Sequence, residues 1–248
     1  GVGTDITVPL AAFTYAHGGP KADFPPPRLD QHTDEVLAEI GFVTAEIEAL
    51  RRDGVIGTGG QARTQLAAVA EVRDISRVQV FSRREDRREE FARQSSERLN
   101  VEVVPAESAQ ACVEGADIVV VITSSRDPVL EADWLAPGVH INAAGGNHWM
   151  RREIDEGTVT RADLIVVDDL EQAKIECGDL MWPEARGSFR WDMVHELRDV
   201  VSGRVPGRPS DQSLTLFESM GIALEDIAAA QLVYRKAKEQ GLGQELPF

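Results

Sequence analysis

The residues that point most directly to chemistry begin at Val55-Ile56-Gly57-Thr58-Gly59-Gly60-Gln61-Ala62. A short apolar run is followed by G-x-G-x-x-A and then by a helical pattern. In a strand–turn–helix unit the first glycine makes the tight turn and the second lets a pyrophosphate approach the backbone. The small third position lets the helix pack close to the sheet. Amides at the helix start then face the phosphates, aided by the helix dipole. Gly57, Gly59, Gly60, Gln61 and Ala62 are therefore cofactor-binding candidates. About 25 residues beyond Gly57, after the apolar run 78–81, stand Ser82, Arg83 and Arg84, with Arg87 one turn on. An acidic residue there would hold a ribose 2′-hydroxyl, whereas arginine accommodates a 2′-phosphate, so the pattern favours NADP(H) over NAD(H). The competing reading is a solvated basic helix start, because Glu85, Asp86, Glu89 and Glu90 surround the arginines. Thr123 and Ser124 follow the continuous apolar run 117–122, at the carboxyl end where parallel sheets place ligands. Asn142, ending the next strand-like run, joins the cofactor candidates.

These residues need an alternating frame of strands and helices to position them. Strands are expected near 52–56, 78–81, 101–104, 117–122, 139–142 and 164–168, the last clear one. Helical patterns are expected at 61–70 and 106–113. The alternation predicts an α/β fold with a Rossmann-like, doubly wound parallel sheet. Ahead of it, Gly18-Gly19-Pro20 and Pro25-Pro26-Pro27 mark a proline-rich arm, followed by a helical hairpin over 33–52. Behind it, apolar residues at helical spacing predict a C-terminal helix near 222–238. The expected division is 1–53 for the arm and hairpin, 54–205 for the dinucleotide-binding domain and 206–248 for a C-terminal segment.

The 248 residues are 42% hydrophobic, enough for a real core, and carry a net charge of −16. That charge argues against nucleic acid or an anionic membrane as the main partner. No apolar run reaches the roughly 18 residues of a membrane span, and no signal peptide is visible. Cys112 and Cys177 have no metal spacing and read as buried thiols of a cytoplasmic protein. The chain begins at Gly1 rather than methionine, as a fragment or processed chain does. His140 reads as a packed strand residue, and His148, His195, Trp182 and Trp191 as structural.

Two family resemblances rest on particular motifs. Pro26-Pro27-Arg28-Leu29, Gln31-His32-Thr33-Asp34-Glu35-Val36-Leu37 and Glu46-Ile47-Glu48-Ala49-Leu50-Arg51 resemble the C-terminal tail of the formyl-CoA transferase-like (family III) CoA-transferases, over about residues 1–56. The catalytic aspartate of that family lies far upstream of this tail and has no counterpart here. The second set is Gly57 to Ala62, Ala116-Asp117-Ile118-Val119, Thr123-Ser124-Ser125, Pro137-Gly138-Val139-His140-Ile141-Asn142-Ala143, Arg152-Glu153-Ile154-Asp155, Val166-Val167-Asp168 and the stretch 213–226. It resembles the ornithine cyclodeaminase/mu-crystallin family over about residues 56–248.

That second resemblance implies an NAD(P)-dependent oxidoreductase of amino-acid metabolism, acting on a small amino or imino acid and working as a homo-oligomer. It also implies a second domain split around the Rossmann unit, whose first half supplies a substrate-holding arginine and lysine. Residues 1–56 offer no counterpart to them, so weak activity is expected, the join near residue 56 being a natural fusion, a truncated gene or an error in assembling the sequence. Asn147 stands where cyclodeaminases of the family carry a catalytic aspartate. An amide is no general base at neutral pH, which moves the expectation from ornithine cyclisation toward imine reduction or amino-acid dehydrogenation. A helix cap is the other reading of Asn147. The alternatives for the whole chain are a non-catalytic NADP(H)-binding protein of the mu-crystallin type and an inactive fusion.

Overall fold

The computed structural model describes residues 52–244. The expected proline-rich arm, hairpin and CoA-transferase-like segment lie outside them, apart from their last residues, which enter the first strand. The chain alternates as expected: β1 (Arg52–Ile56), α1 (Gly60–Val72), β2 (Arg77–Phe81), α2 (Glu85–Leu99), β3 (Glu102–Pro105), α3 (Ala109–Val113), β4 (Ile118–Val121) and β5 (His140–Ala143). Then come α4 (Glu156–Arg161), β6 (Leu164–Val167), α5 (Leu170–Glu176), α6 (Gly178–Ala185), β7 (Val194–Glu196), α7 (Leu197–Val201), β8 (Thr215–Glu218) and α8 (Ala223–Glu239).

The strands form one sheet in the order β3-β2-β1-β4-β5-β8-β6-β7, with every pair parallel. After β3 the chain crosses back over β1 to lay down β4 on its other side. The crevice between the ends of β1 and β4 is thus the topological switch point, where such sheets bind ligands. Residues 164–168 are not the last strand: β7 extends one edge, and β8 inserts between β5 and β6. The segment expected to lie beyond the dinucleotide-binding domain therefore contributes an inner strand of the sheet.

Period-two alternation explains the two cores. Val55, Val78, Val80, Ile118 and Val120 point to one face, where Leu66, Val69 and Phe91 of α1 and α2 cover them. Ile56, Val119, Val121, Ile141, Ile165 and Leu216 point to the other, against Cys112, Leu180 and Val159. All four residues of β4 are buried, as a central strand covered on both faces requires. Local chemistry sets helix ends. Ser108 Oγ accepts from Ala111 N (3.0 Å), so α3 starts at 109 rather than 106. Asp155 and Asp169 cap α4 and α5 the same way, and Asn100 ends α2 in the left-handed region (φ 54°). The C-terminal helix forms as expected, and its Leu224, Ile227, Val233 and Tyr234 are exposed among the described residues.

Candidate dinucleotide site

The carboxyl ends of β1, β2, β4 and β5 frame a cleft of about 720 Å³. Gly57 turns the chain out of β1 with φ +133°, and its N–H donates to Phe81 O at 2.9 Å. A Cβ at Gly57 would strike the carbonyl oxygen of Ile122, so the turn admits glycine alone. Gly59 and Gly60 have the opposite surroundings: a Cβ at either would meet nothing within 4 Å, because both face the open cleft. Ala62 is fully buried beneath them. No side chain caps the start of α1, which leaves its first-turn amides available to an anion. This backbone fits a pyrophosphate.

At the end of β2, Ser82, Arg83 and Arg87 line the same cleft. Arg83 and Arg87 are exposed and in no ion pair among the described residues. Arg84 does not line the cleft: it is engaged twice by the Asp86 carboxylate, which raises the guanidinium pKa further and lowers that of Asp86. Arg88 lies 6.0 Å from the Phe81 ring and donates to Ser82 O, bracing the turn.

Beyond the switch point, Thr123 and Ser124 line the cleft with Gly145, Asn147 and Arg151. Asn142 does not. It lies within β5, where its Oδ1 meets Nε2 of His140 (3.2 Å), two residues back on the same face. His140 also reaches Thr215 Oγ1 at 2.7 Å, and burial pushes its pKa down to about 4, so it stays neutral and packed. Asn147 caps no helix. It sits exposed in the loop after β5, with Oδ1 3.4 Å from the Arg151 guanidinium. His148 accepts from Met150 N and stacks on Trp149, and Trp182 lies under the Arg152 guanidinium at 4.3 Å. Cys112 and Cys177 are buried free thiols, and among the described residues there is no cluster suited to a metal.

The structure adds a group that sequence reasoning missed. Glu153 is fully buried behind the cleft floor, accepting from the backbone N–H groups of Thr123 and Gly145. Asp179, also buried, accepts from Glu153 N (2.7 Å) and Ile154 N (3.0 Å). Glu218 lies deeper, with Cys177 Sγ 3.6 Å from its carboxylate. Burial pushes Asp179 up to about 7 and Glu218 well above its usual range, each reinforced by the neighbouring acids.

The model of the ornithine cyclodeaminase/mu-crystallin family matches residues 48–241. That match starts inside the stretch read as CoA-transferase-like. Among curated proteins, the chain is 36% identical over 195 residues to a delta(1)-pyrroline-2-carboxylate reductase of Bacillus cereus, covering 78% of this chain and 60% of that protein. The chain thus spans about three-fifths of the length of that relative. Among solved structures, it resembles delta(1)-pyrroline-2-carboxylate reductase of Thermococcus litoralis in complex with NADH and L-proline. The TM-score there is 0.79 with 35% identity, over 88% of this chain and 67% of that one. An archaeal alanine dehydrogenase dimer with bound NAD gives a TM-score of 0.76 and 31% identity, over 88% and 66% of the two chains. The chain belongs to the ornithine cyclodeaminase/mu-crystallin family and has a Rossmann-like α/β fold.

Proposed function

We propose that this cleft binds a nicotinamide dinucleotide and serves hydride transfer with a small amino or imino acid, NADP(H) being preferred to NAD(H). The observation that carries the reading is the pairing of the sterically closed Gly57 turn with two arginines, Arg83 and Arg87, that line one cleft wall and form no ion pair among the described residues. When bound, the cofactor supplies the hydride; the protein supplies position and charge. Gly59, Gly60 and Gln61 would present amides to the pyrophosphate, Ser82, Arg83 and Arg87 would hold a 2′-phosphate, and Thr123 and Ser124 would border the nicotinamide half. Asn147 would orient a polar substrate group by hydrogen bonding, since its amide moves no proton. The relatives above are named as a pyrroline-2-carboxylate reductase and an alanine dehydrogenase, and an amide at 147 in place of an acid moves the reading from ornithine cyclisation toward imine reduction.

In this reading α8 belongs to the second, split domain, and its exposed apolar residues take part in a homo-oligomer. Among the described residues no helix is long and apolar enough to cross a membrane, and two free thiols suit the cytoplasm. The segment resembling a CoA-transferase tail takes no part in the chemistry. Titrating the purified chain with NADPH and NADH by fluorescence, then assaying pyrroline-2-carboxylate reduction, tests the proposal. Saturable NADPH binding with imine-dependent oxidation supports it. Failure to bind either dinucleotide refutes it, and binding without turnover favours a non-catalytic NADP(H)-binding protein.

A further inference from the structure

We propose that Glu153 is a positioning residue: its buried carboxylate ties the loop after β4 to the loop after β5 and so sets the floor of the nicotinamide end of the cleft. The inference rests on the dinucleotide reading above. One carboxylate serves both loops. Oε1 accepts from Thr123 N and Oε2 from Gly145 N, the latter at 2.5 Å. Glycine at 145 is needed for this closeness: a Cβ there would lie 2.6 Å from Oε2 and would also strike the carbonyl oxygen of Thr123. Both tied residues line the cleft.

Glu153 is itself locked in place. Its N–H and that of Ile154 donate to Asp179 Oδ1, and its carbonyl accepts from Val129 N (2.8 Å) and Leu130 N (3.0 Å). Two amide donors on two different oxygens suit the ionised carboxylate, which only accepts, better than the acid, which carries a hydroxyl on one oxygen. Burial raises its pKa above the ordinary value, against the Thr123 side chain, the two backbone amides and the Arg151 charge, which lower it. The charged and titratable groups around it are Arg151 and Arg152 on its own loop and Asp179 on α6. Behind these lie Glu218 on β8, the Cys177 thiol and Asp168 after β6. Burial and the neighbouring acids raise Asp179 to about 7 and Glu218 well above the usual carboxylate range.

The test compares the full-length wild-type chain with Glu153→Gln, using two probes: NADPH, which spans the cleft, and adenosine 2′,5′-bisphosphate, which reaches the adenosine end alone. Glutamine keeps the shape but turns an NH2 toward one backbone N–H. The expected result is NADPH binding weakened about tenfold or more, with bisphosphate binding unchanged. Wild-type NADPH affinity in a folded Glu153→Gln variant, or equal loss for both probes, overturns the proposal. A measurement on the wild type guards against a variant that does not fold. In a ¹⁵N-labelled sample the Thr123 and Gly145 amide protons should lie far downfield and move upfield together, with one midpoint, as acid protonates Glu153. Ordinary shifts, or two unrelated midpoints, overturn it. If the wild type binds neither probe, the dinucleotide reading fails, while the amide shifts still decide whether the clamp exists.

Discussion

The two ends of the cleft are built by opposite means. The adenosine end is local and exposed: a glycine turn, the start of one helix and arginines within six residues of the β2 terminus. The end proposed for the nicotinamide is assembled from distant parts over buried carboxylates: Thr123, Gly145, Glu153, Asp179 and Glu218 come from five separate places in the chain. At the first end, cations wait in solvent for an anion. At the second, the Glu153 and Asp179 carboxylates are held by backbone amides, and Asp179 Oδ2 and Glu218 Oε1 have no hydrogen-bond partner among the described residues. Adding bulk or removing charge should therefore act on ligand affinity at one end and on the fold at the other.

The largest contrast comes from adding one methyl group to a cleft glycine at each end. Gly145→Ala places its Cβ against the Thr123 backbone and the Glu153 carboxylate, neither of which has room to move. It should cost about 3–5 kcal/mol of stability and abolish NADPH binding. Gly60→Ala, at the start of α1 with nothing within 4 Å, should leave stability unchanged or raise it by up to about 1 kcal/mol. Chemical denaturation of both variants reads the difference, and similar losses would erase the proposed asymmetry.

The pH dependence of stability should follow the buried acids. Asp53 and Asp179 are pushed from 3.8 up to about 7, in each case chiefly by burial. Between those values the folded chain holds protons that the unfolded chain releases. Their stabilisation is thus complete below pH 3.8 and lost as pH rises through 7, at about 1.4 kcal/mol per pH unit for each group. His140, lowered to about 4, opposes this between 4 and 6.5 but is one group against two. The melting temperature should fall as pH rises from about 5 to 7.5, and Asp179→Asn should flatten the slope. A flat or rising wild-type profile would contradict the protonated state of this region.

At the adenosine end the effect should appear in affinity alone. Arg83→Ala removes a charge-assisted contact to a 2′-phosphate, weakening NADPH by about 1.5–3 kcal/mol while leaving NADH and the melting temperature unchanged. Equal weakening of both dinucleotides would remove the argument for NADP(H).

This contrast also explains what could be read beforehand. The glycine turn was legible because its four requirements fall within six consecutive residues, and β4 because a strand covered on both faces is apolar without interruption. The pairing of β8 was not, since a four-residue strand carries no mark of its neighbours and the chain reaches that slot only after laying down β6 and β7. Asn142 was expected in the cleft, but a side chain inside a strand points to a face of the sheet rather than over its carboxyl edge. Glu153, between Arg152 and Ile154 in a charged stretch, looks like a solvated residue. Its burial depends on amides 30 and 8 residues away, which no local pattern reveals.

The smallest predicted effect discriminates among the three arginines at β2. Arg83, Arg84 and Arg87 look equivalent in sequence, yet the structure separates them by what each already touches. Arg84 spends its guanidinium on Asp86 in an exposed pair at the helix start and lies outside the cleft lining. An exposed pair of this kind contributes little, because water screens the attraction and two long side chains must be ordered to make it. Removing Arg84 also frees Asp86, whose negative charge at the first turn of α2 still favours the helix dipole. Arg84→Ala should therefore change NADPH affinity by no more than about twofold and leave the melting temperature within error, measured beside Arg83→Ala under the same salt. A loss from Arg84→Ala equal to that from Arg83→Ala would mean that the Asp86 pair opens when the cofactor binds, and that the 2′-phosphate is held by the whole cluster rather than by the two arginines that line the cleft.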